Sequence, residues 1–217
     1  TYGPLTPTLG LAAPAAAHAL GLPVVGTFHS WFPRSALYRI FRAPLQRRLD
    51  RYAAAIAVSQ PVIDAHSRYF STDWTIIPNG IDTDVFQPNG GPASDRGEAP
   101  RLLFLGRLDP RNGLDTVLRA MPAILAREPR ARLIVAGDGP LRNVYTRMAR
   151  PVADSVDFIG YVNGDRPHHY GTADLYLCPT TKASFGITLL EAMACGTPMV
   201  VSDITGFSTK TKVEWFP

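Results

Sequence analysis

Short apolar runs alternate with longer stretches of mixed polarity along most of this chain. Pro23–Phe28, Ala54–Ser59 and Thr75–Ile77 read as strands, the last running into a Pro78-Asn79-Gly80 turn. From Gln87 to Pro100 the chain is rich in Pro, Gly, Asn, Ser and Asp and reads as a linker. The rhythm then restarts. Arg101–Leu105, Arg132–Ala136, Val156–Ile159, Leu175–Cys178 and Met199–Val201 are short and apolar like buried strands, while Asp115–Arg127 and Leu141–Ala149 read as helices. Such strands, alternating with helices, predict a parallel sheet covered on both faces. The break predicts two α/β units, residues 1–86 and 101–206, and no internal repeat is visible.

Composition narrows the class. With 46% hydrophobic and 18% charged residues over 217 positions, the chain is globular and long enough to bury a real core. No apolar run approaches the ~20 residues of a membrane span. No basic segment followed by an apolar core opens the sequence, which does not begin with Met. Cys178 and Cys195 lie in apolar runs without Cys-x-x-Cys spacing, as buried thiols in a reducing compartment do, and no metal site is expected. The net charge of +4 fits anionic partners such as phosphates or lipid headgroups, and equally a solvated surface. No nucleic-acid partner is expected.

Two segments carry more than architecture. From Trp31 to Tyr52, aromatic and aliphatic positions alternate with arginines at 34, 39, 42, 47, 48 and 51. That is the pattern of a helix with one face in the core, and also of one that lies on an anionic membrane. The second segment, Ala183 to Pro198, opens with a Ser184-Phe185-Gly186 turn and continues as a helical run with one acid, Glu191. A turn entering a helix N-terminus aims N–H groups and the positive dipole end at one spot, which suits phosphate. Glu191 falls about two turns further on, where a carboxylate can accept from ribose hydroxyls.

This second segment closely resembles the donor-site signature of the family-4 retaining glycosyltransferases (glycosyl transferases group 1, phosphatidylinositol mannosyltransferase-like). The family's signature has a first Glu, a second Glu about two helical turns on, and then Ala-Met-Ala-x-Gly-x-Pro; here Glu191 is present and Ala183 stands at the first acid. Other blocks occur in the family's order. Pro78-Asn79-Gly80-Ile81-Asp82 with Phe86 resembles the segment closing its first domain, and Gly106-Arg107 resembles its phosphate-clamping pair. Gly137-Asp138-Gly139-Pro140 resembles a loop bordering base and ribose, and Phe158–Val162 lies where members line the nucleobase. The resemblance spans roughly residues 20 to 206.

The resemblance implies an α/β fold of GT-B type: a pair of Rossmann-type domains, the first incomplete, in a sequence truncated at both ends and ending in an atypical tail, 207–217. It implies a hexosyltransferase moving a mannose- or glucose-type sugar from a UDP or GDP donor to an acceptor hydroxyl, with no metal. His29 would contact the sugar and Arg107 the departing diphosphate, these two being the catalytic residues. Gly106, Arg107, Arg111, Asn112, Gly137, Ser184, Phe185, Gly186, Ile187 and Glu191 would hold the donor. The acceptor is a sugar or a lipid-linked sugar, and the expected location is cytoplasmic, at the inner face of the cell membrane. Two departures stand out: Asn112 occupies the place of the family's phosphate-binding Lys, with Arg111 and Lys182 as candidate replacements, and Ala183 replaces the first acid. They leave open a catalytically degenerate nucleotide-sugar-binding module, and less readily a sugar-nucleotide epimerase of the same architecture. Asp82 and Asp84 are expected to cap a turn rather than chelate.

Overall fold

A computed structural model describes residues 4–5, 9–88 and 99–207. Its described residues form two compact units, one drawn from Thr1–Asn79, Ala183–Phe185 and Thr205–Pro217, the other from Gly80–Lys182 and Gly186–Ile204.

The first unit is built on three parallel strands, β1 (Val25–Phe28), β2 (Ala54–Ala57) and β3 (Trp74–Ile76), in that order. Register is set by pairs such as Thr27 with Ile56 and Ile56 with Thr75. Helix α1 (Leu9–Ala19), for which the sequence reading assigned no element, precedes them. Its alanine-rich run is strongly helix-forming, and Pro14 within it hides that from a reading for breakers. Helix α2 (Ala36–Ile40) buries no side chain, whereas α3 (Arg42–Leu49) buries Leu45 and Leu49. The single core-facing reading of the arginine-rich stretch therefore holds for α3 alone. Helix α4 (Gln60–His66) buries Val62, Ala65 and His66. The His66 ring sits 4.8 Å from Phe28 and 4.9 Å from Phe32, and its Nδ1–H donates to the Val62 carbonyl at 2.8 Å. Burial lowers the basicity of that ring.

The second unit has five parallel strands in the order β6-β5-β4-β7-β8. They are β4 (Arg101–Leu105), β5 (Arg132–Ala136), β6 (Val156–Gly160), β7 (Leu175–Cys178) and β8 (Met199–Val201). Helices α5 (Leu114–Leu125), α6 (Arg142–Met148), α7 (Arg166–Gly171) and α8 (Ile187–Ala194) connect them. Helix α5 shows how sequence becomes core. Its Leu114, Val117, Leu118 and Met121 recur at one-turn spacing and are all buried, packing with Phe104, Leu133 and Val135 of the sheet. The chain builds β4, β5 and β6 outward in one direction and then crosses back to lay β7 on the other side of β4. The C-terminal ends of β4 and β7 thus flank the point where the winding reverses, the usual place for a ligand crevice in such sheets.

The boundary between units falls after Asn79, not after Phe86. Phe86 is tied to the second unit, with its ring centroid 6.4 Å from that of Tyr170 and the Arg166 guanidinium 6.0 Å above it. Asp82 Oδ1 accepts from the N–H groups of Asp84 (2.9 Å) and Val85 (3.3 Å), so this carboxylate does cap a turn. Within the linker 87–100, residues 89–98 lie outside the described residues, as do 208–217 of the tail.

Candidate functional site

Loops at the C-terminal ends of β4, β5 and β6 are stitched together by main-chain bonds. Gly106 N–H donates to Ala136 O (3.0 Å), Leu108 N–H to Asp138 O (2.9 Å), and Gly137 N–H to Gly160 O (2.6 Å). Gly137 has φ +147°, and a Cβ there would stand 1.9 Å from the Gly106 carbonyl oxygen, so only glycine fits the crossing. The stitched loops wall a cavity of about 480 Å³, lined by Gly106, Arg107, Gly137, Asp138, Tyr161 and Arg166 among others. That lies within the roughly 300–1,000 Å³ range of small-molecule sites. A second cavity of about 210 Å³ shares Gly106 and Arg107 and adds Asn112, Thr180 and Thr188, where β4 and β7 flank the winding reversal.

Asp109 organises the cations at this edge. Its Oδ1 accepts from the N–H groups of Arg111 (3.0 Å) and Asn112 (3.2 Å), capping the 3-10 turn Pro110–Asn112. Its Oδ2 lies 4.0 Å from Arg107 Nε and 3.7 Å from Arg111 Nη2. The two arginine side chains are 69% and 57% exposed, so both keep most of their surface in water beside the Asp109 carboxylate. Asn112 is engaged inward: its side-chain amide donates to the Arg107 carbonyl at 2.7 Å. It braces the backbone that carries Arg107.

Helix α8 begins after Gly186, which adopts φ 74°, ψ 62°, a left-handed turn that lets the chain enter the helix sharply. Ile187 opens the helix, and Thr188 beside it reaches the smaller cavity. Glu191 is 3% exposed and does not line either cavity. Its Oε2 accepts from Arg166 Nη2 and from the Tyr170 hydroxyl at 3.1 Å. Burial pushes the Glu191 carboxyl up, against the opposing pull of Arg166 and Tyr170, and burial likewise raises the Tyr170 phenol.

The second unit thus collects Gly106, Arg107, Arg111, Asn112, Gly137, Gly186, Ile187 and Glu191. Ser184 and Phe185 belong to the first, where Ser184 Oγ accepts from Trp31 N–H and its carbonyl accepts from Ser59 Oγ, both at 2.7 Å. His29, half-buried at the end of β1, is also in the first unit, and burial lowers its basicity. Lys182 is exposed and lines neither cavity. Among the described residues, no group of three or more His, Cys, Asp or Glu could hold a metal ion.

The family model of glycosyl transferases group 1 matches residues 99–213, more than half of the chain. The chain belongs to that family. The glycosyltransferase family 4 model matches residues 4–85. The phosphatidyl-myo-inositol mannosyltransferase of Propionibacterium freudenreichii is 34% identical over 210 residues, covering 95% of this chain and 52% of that protein. Its counterpart from Mycobacterium tuberculosis is 32% identical over 209 residues, covering 95% and 54%. This chain therefore spans about half the length of the curated relatives it matches. Among solved structures, Anabaena Alr3699/HepE in complex with UDP-glucose has the same GT-B fold. Its TM-score is 0.76 at 22% identity, over 92% of this chain and 58% of that one.

For this glycosyl transferases group 1 member, the signature-based reading missed Arg166 and Tyr170. Arg166 opens a short helix and Tyr170 ends in it, each more than 20 positions before Glu191. A side-chain cluster closed by helix-to-helix packing leaves no spacing in the sequence. Thr188 was within reach, since it lies inside the quoted signature and one turn ahead of Glu191 in α8.

Proposed function

We propose that the chain carries the donor site of a retaining hexosyltransferase, moving a mannose- or glucose-type sugar from a UDP or GDP donor to an acceptor hydroxyl. The observation that carries this reading is the pair of adjoining cavities at the winding reversal, which share Gly106 and Arg107. The diphosphate lies in the smaller one. Arg107 and the N-terminal turn of α8 face the charge that develops there as the sugar–phosphate bond breaks, and fixed donors at that point lower the barrier. The nucleoside occupies the larger cavity against Gly137, Asp138 and Tyr161, and Glu191 serves this nucleoside end. Arg111 supplies the second cation in place of the missing Lys. His29 keeps the role the resemblance gives it, on the transferred sugar. No metal is required.

The acceptor is lipid-linked, and the protein works at the inner, cytoplasmic face of the cell membrane. Helix α2 and the Phe41 that caps it support this, with Leu37, Ile40 (70% exposed) and Phe41 turned to solvent among exposed arginines. No helix among the described residues is long and apolar enough to cross a membrane. The names of the relatives, which act on phosphatidyl-myo-inositol, point the same way.

Calorimetric titration with UDP and GDP, with and without magnesium, tests the donor reading. Saturable, magnesium-independent binding of one nucleotide is expected, falling roughly ten- to a hundredfold in Arg107→Ala. A folded chain that binds neither nucleotide overturns it.

A further inference from the structure

Helix α2 of the first unit is held by rings rather than by aliphatic burial. None of its residues is buried, yet Tyr38 on it lies 5.1 Å from the Phe70 ring, 5.9 Å from Tyr69 and 5.8 Å from His66. Phe32, just ahead of α2, meets His66 at 4.9 Å. Phe28 of β1 (4.8 Å) and Trp74 of β3 (5.9 Å) touch the same imidazole, which is 2% exposed. The chain after α4 also fixes the entry to α2. Ser35 N–H donates to the Tyr69 hydroxyl at 2.8 Å, and Ser35 Oγ accepts from Tyr38 N–H at 3.1 Å.

This imidazole is set up to be neutral. Its Nδ1–H donates to the Val62 carbonyl, so the neutral tautomer leaves Nε2 without a proton. Protonation adds an N–H at Nε2, for which no partner exists among the described residues, and puts a charge among four aromatic rings. The attraction of ring faces for a cation is smaller than the cost of taking that charge out of water. The surrounding charges do not help. His29 and Arg34 lie between β1 and α2, Arg39 on α2, Asp64 on α4, Arg68 after α4 and Asp73 before β3. Both carboxylates are exposed, and Asp64 is already engaged by Gln60. Burial lowers the basicity of His66, against the pull of the Val62 carbonyl.

We propose that His66 is an acid-sensitive latch: neutral, it clamps the segment Phe32–Phe41 onto the end of α4, and protonated, it releases that segment while the sheet behind it stays folded. The segment is the part that lets go because α2 buries nothing of its own, whereas β2 and α4 are anchored by Ala57, Val62 and Ala65. It begins just after His29, so the latch governs the chain beside the residue assigned to the transferred sugar. A released imidazole regains its ordinary 6.5, above the lowered value it has when docked. The latch is therefore closed above 6.5 and is lost progressively as pH falls below it.

The test is hydrogen exchange of the full chain, read by mass spectrometry from pH 8 to pH 5 and corrected for the intrinsic exchange rate. The opening equilibrium of Phe32–Phe41 is expected to rise by up to about tenfold for each pH unit below 6.5, with no such rise in β2 or α5. His66→Leu keeps an apolar filling, and His66→Gln keeps a donor for the Val62 carbonyl. Neither titrates, and both are expected to flatten the acid response, whatever protection they start from. Tyr38→Ala cuts α2 from the rings and leaves His66 in place; it is expected to open the segment at pH 8 about as far as acid opens it in the unmodified chain. An acid response that survives in either folded His66 variant overturns the proposal, as does an unmodified segment that stays closed down to pH 5. A rise of equal size in β2 also overturns it, because acid is then unfolding the whole unit.

Discussion

Two carboxylates of the second unit each gather arginine, and they do so in opposite ways. Glu191 is 3% exposed and holds Arg166 together with a tyrosine hydroxyl inside the protein. Asp109 stands at a turn with Arg107 and Arg111 at 3.7–4.0 Å, and both arginines remain mostly in water. A buried pair is bound by desolvation: neither charge can leave without stranding the other. An exposed pair is screened, so its cations can turn to a stronger anion when one arrives. The same chemistry thus gives a fixed element at one end of the site and a responsive one at the other.

The contrast is most sharply broken by deleting one arginine from each. Arg166→Met is expected to cost about 3–5 kcal/mol of stability, because it leaves a buried, uncompensated carboxylate. Arg107→Met should stay within about 0.5 kcal/mol, as exposed substitutions do. Equal urea midpoints for the two variants would end the distinction.

Acidity sharpens it further. Burial raises the Glu191 carboxyl above its ordinary 4.5, so the folded protein holds this proton to higher pH than the unfolded chain. Its contribution to stability is therefore most favourable below 4.5 and is lost as pH rises through the raised value. Arg166 opposes that rise, so Arg166→Met is expected to lose stability over a wider span of pH than the unmodified protein. Denaturation midpoints measured from pH 4 to 8 would check this; parallel curves would contradict it.

At the exposed end the expected effects are smaller. Asp109→Asn keeps the Oδ1 acceptor but removes a charge about 4 Å from both arginines, worth about 1 kcal/mol in water. Affinity for UDP or GDP should rise about fivefold, whereas Asp109→Ala should lose about 1 kcal/mol of stability with the cap. Weaker nucleotide binding by the asparagine variant would mean the aspartate aligns the arginines instead of competing for them. Smallest of all, the solvent-exposed Asp115–Arg119 pair at 3.2 Å should contribute no more than about 0.5 kcal/mol, read from Arg119→Ala.

How much of this was legible in the sequence follows the range of the forces involved. The strands Arg101–Leu105, Arg132–Ala136, Leu175–Cys178 and Met199–Val201 match the sequence reading to the residue, because a short apolar run marks a strand even at the sheet edge, where Val200 is exposed. Gly106, Arg107 and Gly137 line one cavity, since each directly follows or nearly follows a strand end and the parallel sheet aligns those ends. Helix α1 was hidden by Pro14 and glycine-containing surroundings. Phe86 was placed with the wrong unit because its ring contacts are made with α7, far along the chain. Arg166 was invisible for the same reason. Its meaning comes from a partner on α8, and no local pattern encodes a pairing made by tertiary packing.

The two thiols give the second unit built-in clocks. Cys178 ends β7 and lines the smaller cavity, yet it is buried, while Cys195 lies behind α8 with its thiol pushed up by burial and by the nearby Glu191 charge. Alkylation of either must wait for the surrounding structure to open, so native labelling rates report two local opening events without any introduced probe. A diphosphate seated beside Arg107 would close the way to Cys178 while leaving Cys195 to the breathing of the helix pair, and the protein's own cysteines would then tell occupancy from unfolding.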